Sequence, residues 1–224
     1  MPFLLASICG YTQIMFERTY GGGRWDVGNC VIQTSDGGYA VLGNFDNNLT
    51  SGDDIYLIKT NAYGDTIWTK KYGGSDDDFG YQILQLSNGG YIISGSTKSV
   101  GNGATDALLI KTDAIGNLIW LKTYGGAQND LGGIFVQTDD GGYFMVGVTK
   151  NYGAGDYDAY LIRTNSFGDT LWTKTYGTIY QDWGGSITTT TDGGYILALQ
   201  KATNMYGETD IALIKTNANG DSIS

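Results

Sequence analysis

Four aspartates stand at regular intervals along this chain, Asp26, Asp78, Asp130 and Asp182, each followed two residues later by a glycine, Gly28, Gly80, Gly132 and Gly184. Carboxylates are hard oxygen ligands, and four of them brought to one mouth of a cyclic arrangement would suit Ca²⁺. The plainer chemistry is local: an aspartate beside glycine in a turn accepts backbone N–H groups and holds its own loop. A second series, Asp54, Asp106, Asp158 and Asp210, keeps the same interval. No run matches the Asp-x-Asp-x-Asp-Gly calcium loop, and the Asp76-Asp77-Asp78 cluster lacks its spacing.

The interval belongs to the whole chain. Asp36-Gly37-Gly38-Tyr39 returns as Asn88-Gly89-Gly90-Tyr91, Asp140-Gly141-Gly142-Tyr143 and Asp192-Gly193-Gly194-Tyr195, with the first glycine at 37, 89, 141 and 193, a constant step of 52 residues. One unit is therefore written four times, and residues common to all copies are expected to build it. Within residues 78–125, runs of period two broken by turn residues predict four strands: A (81–87), B (91–97), C (106–112) and D (118–124). Asn88-Gly89-Gly90 joins A to B as a tight hairpin.

Four consecutive antiparallel strands per unit predict an all-β propeller of four blades, because radial repetition leaves few exposed sheet edges. A parallel β-helix is the weaker alternative. The fourth copy lacks a D strand, and Ile14–Tyr20 is a surplus D strand that would complete it and close the ring. Residues 13–224 are read as a single domain. A fragment of a larger ring, or two chains making eight blades, stays open. Residues 1–12 form an apolar run without a basic start, either part of an export signal or a divergent strand.

Composition narrows the chemistry. With 13 basic and 23 acidic residues the net charge is −10, which repels nucleic acid and anionic membrane. No histidine is present, so imidazole bases and His-ligated zinc are excluded. No stretch after the N-terminal run approaches the roughly 18 apolar residues of a membrane span. Trp68, Trp120 and Trp172, with Phe16 in the fourth place, are expected to pack between blades. Lys59, Lys111, Arg163 and Lys215 near the end of strand C are expected to snorkel or to pair with a hairpin carboxylate.

Positions that break the repeat are the better candidates for a ligand site. Trp25 stands where other copies carry Asp77, Asn129 and Gln181, and Tyr180 replaces Arg24, Asp76 and Gln128. Tyr152 and Tyr206 sit in B-to-C loops whose counterparts carry no ring. Strand direction sends the D-to-A and B-to-C loops to one face, so these rings join both aspartate series there. Rings beside carboxylates and amides suit a glycan, and tyrosine-rich loops also suit a protein partner.

Asp113-Ala114-Ile115-Gly116-Asn117-Leu118-Ile119-Trp120 resembles the Asp…Gly…Trp signature of quinoprotein-type blades, one residue shorter between Asp and Gly. With Asp-Gly-Gly-Tyr, Leu-Ile-Lys-Thr and Trp-x-Lys-Thr-Tyr-Gly-Gly, the unit is more similar to the repeats of secreted propeller-like proteins of Bacteroidota and related microbes, many of them carrying a type IX sorting domain. That resemblance implies an extracellular or cell-surface protein. The expected function is a non-catalytic module binding glycan or protein through the acidic, aromatic long-loop face. A carboxylate-dependent polysaccharide hydrolase or lyase is the first alternative, and a self-assembling structural repeat, homo-oligomeric and stabilised by Ca²⁺, is the second. Asn48-Leu49-Thr50 fits the N-glycosylation pattern.

Overall fold

A computed structural model of the chain describes residues 14–22, 25–46 and 52–222. The candidate leader and the Asn48-Leu49-Thr50 motif lie outside them. The described residues form fifteen strands and no helix, gathered into four antiparallel sheets in chain order. Sheet 1 holds β1 (Val27–Gln33), β2 (Tyr39–Asp46), β3 (Asp53–Thr60) and β4 (Thr66–Tyr72). Sheet 2 holds β5 (Asp78–Gln85), β6 (Tyr91–Thr97), β7 (Asp106–Thr112) and β8 (Leu118–Tyr124). Sheet 3 holds β9 (Asp130–Gln137), β10 (Tyr143–Thr149), β11 (Asp158–Thr164) and β12 (Thr170–Tyr176). Sheet 4 holds β13 (Trp183–Thr189), β14 (Tyr195–Ala202) and β15 (Thr209–Thr216).

In the type copy, β6, β7 and β8 match the expected B, C and D strands. β5 begins three residues earlier than expected because the alternation is interrupted by a bulge between Gly80 and Gln82, beyond which Asp78 still pairs with Thr97. Leu86 then leaves the strand to close the hairpin, donating its N–H to Gly90 O at 2.8 Å. The bulge glycines have a second reason. A Cβ on Gly132 would lie 1.9 Å from Gly95 O, and one on Gly184 would lie 2.2 Å from Gly147 O, so glycine lets each inner strand approach the preceding sheet.

The core is divided into slabs between successive sheets. Leu42, Ile55 and Leu57 of sheet 1 meet Ile83, Ile93, Leu108 and Ile110 of sheet 2. Ile92 and Leu109 of sheet 2 meet Phe135, Met145 and Ile162 of sheet 3. Phe144, Val146 and Leu161 of sheet 3 meet Ile187, Leu197 and Leu199 of sheet 4. Both faces of the middle sheets are thus buried, which explains why β6, β7, β10 and β11 read as nearly continuous burial rather than alternation.

The Asp-Gly-Gly-Tyr hairpin serves two sheets at once. Asp36 accepts hydrogen bonds from Thr34 Oγ1 (2.6 Å), Gly38 N (3.0 Å) and the buried Lys59 Nζ (3.0 Å). Arg163 pairs with Asp140 at 2.6 Å and Lys215 with Asp192 at 2.7 Å, as expected of strand-C cations. In sheet 2, Asn88 stands where the other hairpins carry aspartate, and Lys111 donates to Ser166 O at 3.3 Å. Gly37 adopts φ +82°, open to glycine without strain. The motif tyrosines Tyr91 and Tyr143 are buried and meet the outer-strand tryptophans of the preceding sheet, with ring centroids 6.1 Å apart for Trp68–Tyr91 and 6.3 Å for Trp120–Tyr143.

The outer strands of sheets 1 to 3 also grip the turn that follows the third strand of the next sheet. Tyr72, Tyr124 and Tyr176 donate their hydroxyls to Gly116 O (2.7 Å), Gly168 O (2.8 Å) and Gly220 O (2.8 Å). Burial pushes the Tyr72 and Tyr124 hydroxyls well above the usual phenol range, so they remain donors. The expected closure by Ile14–Tyr20 is not made: this segment forms no strand with β15 and lies on sheet 1. There Tyr20 donates to Gly64 O at 2.6 Å, Arg18 lies 3.6 Å from Asp65, and Phe16 meets Tyr39 at 5.8 Å. It takes the place on sheet 1 that each outer strand takes on the sheet after its own.

This grip generates a stability prediction. A Cβ on Gly116, at φ +76°, would lie 2.8 Å from the Trp68 ring and 2.7 Å from Lys70 Cγ. Gly116→Ala is expected to cost more than about 1 kcal/mol through strained backbone and displaced packing. Tyr124→Phe, which leaves Gly168 O without its donor, is expected to cost about 1 kcal/mol or more. Urea denaturation midpoints check both, and unchanged midpoints would show that the turn grip bears no load.

Candidate functional site

The D-to-A and B-to-C loops do meet on one face. Asp130 N donates to Thr105 O (2.7 Å) and Asp182 N to Tyr157 O (2.7 Å), stitching the B-to-C loops of sheets 2 and 3 to the D-to-A loop of the following sheet, while Lys150 N donates to Asn129 O (2.9 Å) within sheet 3. Asp78, Asp130 and Asp182 of the first series and Asp54, Asp106 and Asp158 of the second lie along the seams between sheets.

Asp26, Asp78, Asp130 and Asp182 hold their own loops. Asp26 accepts Gly22 N (2.7 Å), Asp78 accepts Gly74 N (2.9 Å) and Asp130 accepts Gly126 N (2.7 Å), while Asp182 takes Thr178 N and Thr178 Oγ1. Among the described residues no three His, Cys, Asp or Glu side chains come together as cation ligands. The four aspartates are therefore spent on four separate loops, and the Ca²⁺ expectation gains no shared ligand cage from them.

The second series pairs with the first. Asp54 and Asp78 both lie against Gly73, Asp106 and Asp130 against Gly125, and Asp158 and Asp182 against Gly177, each at a point a Cβ would fill. Asp106 and Asp158 are buried, and the Oδ1 atom of each has no hydrogen-bond partner. Burial raises the Asp106 carboxyl above the usual carboxylate range; the Asn102 and Gly103 amides oppose this and the Asp130 charge adds to it. Asp54 is raised likewise, by burial first and then by the charge of Asp78. Asp210, the fourth member, is exposed.

Of the repeat-breaking rings, two converge. Tyr180 and Tyr206 line one open cleft of about 460 Å³ at the junction of sheets 3 and 4 on the long-loop face. Trp183 forms its inner wall, with Gln181, Gln200, Asn204 and Asp156 as polar groups. The loop carrying Tyr206 is set by Asn204, whose Oδ1 accepts Tyr206 N at 2.9 Å, and is closed by Thr203 N donating to Glu208 O at 2.9 Å. Tyr206 is 86% exposed, so its ring faces solvent over the cleft. Trp25, 85% exposed, and Tyr152, whose ring lies 5.6 Å from that of Tyr160, are not on the cleft wall.

Asp156 is fixed on the rim by Lys150 Nζ at 2.6 Å and Gln181 Nε2 at 2.7 Å. The Lys150 ammonium, then the Gln181 amide, hold its carboxyl below the usual range, so it is ionised at neutral pH. Lys150 also lies 5.2 Å from the Tyr157 ring centroid, and Tyr157 stacks on Trp183 at 5.3 Å with 22° between planes. Trp183 and Tyr157 were not among the expected site residues. The same comparison of copies reveals Tyr157, which stands in place of Asp53, Thr105 and Thr209, whereas Trp183 replaces the apolar Val27, Phe79 and Leu131 and reads as core.

The sheets and their seams define a propeller-like all-β repeat protein. No protein-family model matches the chain. It is 24% identical over 180 residues to the regulatory protein FlaEY of Caulobacter vibrioides, a match covering 68% of this chain and 19% of that protein. The chain thus spans about a fifth of the length of that curated relative. Among solved structures it is similar to a thermostable family-43 glycoside hydrolase, with a TM-score of 0.51 and 12% identity over 83% of this chain and 69% of that one, a likeness of fold.

The paired carboxylates predict opposing pH effects. Asp54 and Asp106, raised above their unfolded value of 3.8, contribute stability that is complete below that value and lost as pH rises through the raised one. Asp140, held low by Thr138, the Gly142 amide and Arg163, contributes stability present above 3.8 and lost on acidification. Asp106→Asn, whose amide can donate toward Asp130, is expected to stabilise the chain by about 1 kcal/mol near neutral pH. It should also remove part of the decline in stability as pH rises above the unfolded carboxylate value of 3.8. Thermal melts across that range read both effects; a parallel pH profile in wild type and variant would refute the assignment.

Proposed function

We infer that the chain is a non-catalytic binding module, secreted or cell-surface, that holds a carbohydrate segment in the cleft between sheets 3 and 4. The observation that carries this reading is the convergence of Tyr180, Tyr206 and Trp183 with Gln181, Asn204 and Asp156 around one open cleft. Aromatic faces pack against the apolar C–H surface of a sugar ring, while amides and a carboxylate bond its hydroxyls. Asp156 accepts from Lys150 and Gln181 through different oxygens, leaving lone pairs of an ionised carboxylate for donors on a ligand.

Hydrolysis is less well supported. Paired-carboxylate hydrolysis needs a second acid on the opposite side of the scissile bond, commonly with one carboxyl kept protonated. Among the described residues the cleft wall carries Asp156 as its one carboxylate, and that group is held ionised. The solved structure of similar fold is titled a glycoside hydrolase; its fold likeness makes carbohydrate a reasonable first ligand class to test and says nothing of turnover here.

Calorimetric titration with a panel of soluble oligosaccharides and polysaccharides tests the reading. Tyr206→Ala, Tyr180→Ala and Trp183→Ala are each expected to weaken binding at least about tenfold, or 1.4 kcal/mol. Tyr206→Ala should leave the melting temperature unchanged because its ring is exposed. Absence of binding across the panel, or affinity indifferent to all three substitutions, would sink the proposal.

A further inference from the structure

The cleft between sheets 3 and 4 offers a ligand more acceptors than donors. Gln181 Nε2 donates to Asp156 at 2.7 Å and Gln200 Nε2 to Thr209 Oγ1 at 3.2 Å, while Asn204 Nδ2 donates to Glu208. Ionised carboxylates only accept, so Asp156 and Glu208 fix which way the Gln181 and Asn204 amides point. Asn204 Oδ1 is taken by Tyr206 N. The carbonyl oxygens of Gln181 and Gln200 are left for a ligand, beside the ionised Asp156.

Charge around the cleft is one-sided as well. Segments 150–157, 177–186 and 203–210, which build it together with Gln200 and Ala202, carry Asp156, Asp182, Glu208 and Asp210 against Lys150 as their one basic residue. Lys201, between Gln200 and Ala202, lines a different cavity. Lys150 is not on the cleft wall: its ammonium lies 2.6 Å from Asp156 and 5.2 Å from the Tyr157 ring centroid. A carboxylate and an aromatic face therefore already hold one ammonium beside this wall. In the cleft the same carboxylate stands among Trp183, Tyr180 and Tyr206, whose ring faces carry the negative part of the quadrupole. Trp183 is braced there by Tyr157, stacked on it at 5.3 Å.

We propose that the cleft selects a cationic sugar, one bearing a free protonated amine, over its neutral and acidic counterparts. The proposal rests on the carbohydrate reading above and adds a charge to it. The N–H donors of a sugar ammonium suit Asp156 and the two glutamine carbonyls, and its charge is drawn to the ring faces that pack against the sugar. N-acetylation removes the charge and all but one of those donors. A uronic acid would bring a further carboxylate to an acidic wall and is disfavoured by repulsion.

Calorimetric titration with short glucosamine oligomers, and with their N-acetylated counterparts of equal length, separates the charge from the sugar. Wild type is expected to bind the amine form at least about tenfold more tightly, with the preference shrinking as salt is raised. Asp156→Asn should bring the two affinities to within about twofold of each other. Lys150→Gln removes the ammonium that competes for Asp156 and should tighten binding of the amine form by about threefold or more. Equal affinity for the two forms in wild type, or a preference for the acetylated one, overturns the inference and leaves the carbohydrate reading standing. No binding of any oligosaccharide brings down both. A preference for the amine that survives Asp156→Asn overturns the inference too, since the net charge of −10 would then account for it. So does a Lys150→Gln variant that binds the amine form no better than wild type.

Discussion

The contact on which the rest of the array depends is the grip of one sheet's outer strand on the glycine turn of the next. It combines a hydroxyl-to-carbonyl hydrogen bond with a tryptophan packed where a side chain on that glycine would stand. Tyr72 on Gly116, Tyr124 on Gly168 and Tyr176 on Gly220 repeat it with almost constant geometry. Strand pairing inside a sheet fixes register, but it does not align one sheet with another. The grip does, and the slabs of aliphatic core then fill the space it defines. An arrangement of this kind is cooperative through neighbours rather than around one centre.

Most of the strands were legible because their signals are local. Alternating apolar residues, positive-φ turn glycines and the 52-step repetition of Asp-Gly-Gly-Tyr located β6, β7 and β8 to the residue. The start of β5 was not, because a bulge at Gly80 breaks the alternation while hydrogen bonding continues beyond it. Closure by Ile14–Tyr20 was read from strand counting alone. Counting identifies the segment as an outer strand, and the contacts of Tyr20 and Phe16 agree with that role. It cannot say which sheet edge receives the segment, since that is decided by contacts distant along the chain.

The site was legible in proportion to how far residues depart from the repeat. Tyr180 and Tyr206 stood out because no other copy has a ring there, and they share a cleft. Trp25 and Tyr152 satisfied the same criterion and do not reach it, because departure marks freedom from the scaffold and carries no information about distance. Trp183 was hidden by its place in a strand whose other copies are already apolar, so a tryptophan there reads as more core. The aspartate series shows the converse: four copies in register suggest a ring of ligands, yet one oxygen of each carboxylate accepts a backbone N–H of its own loop.

The division of every grip between two adjacent repeats constrains how such a chain can change length. The outer strand of one unit and the turn of its successor must match, so a deletion within a unit leaves an orphaned half on each side of the break. Loss or gain of a whole 52-residue unit joins matching halves again and leaves every seam of the same kind. Blade number can therefore drift by unequal crossing-over while fractional changes are purged, and ligand-facing loops such as the one bearing Tyr206 can diverge unit by unit without disturbing that arithmetic.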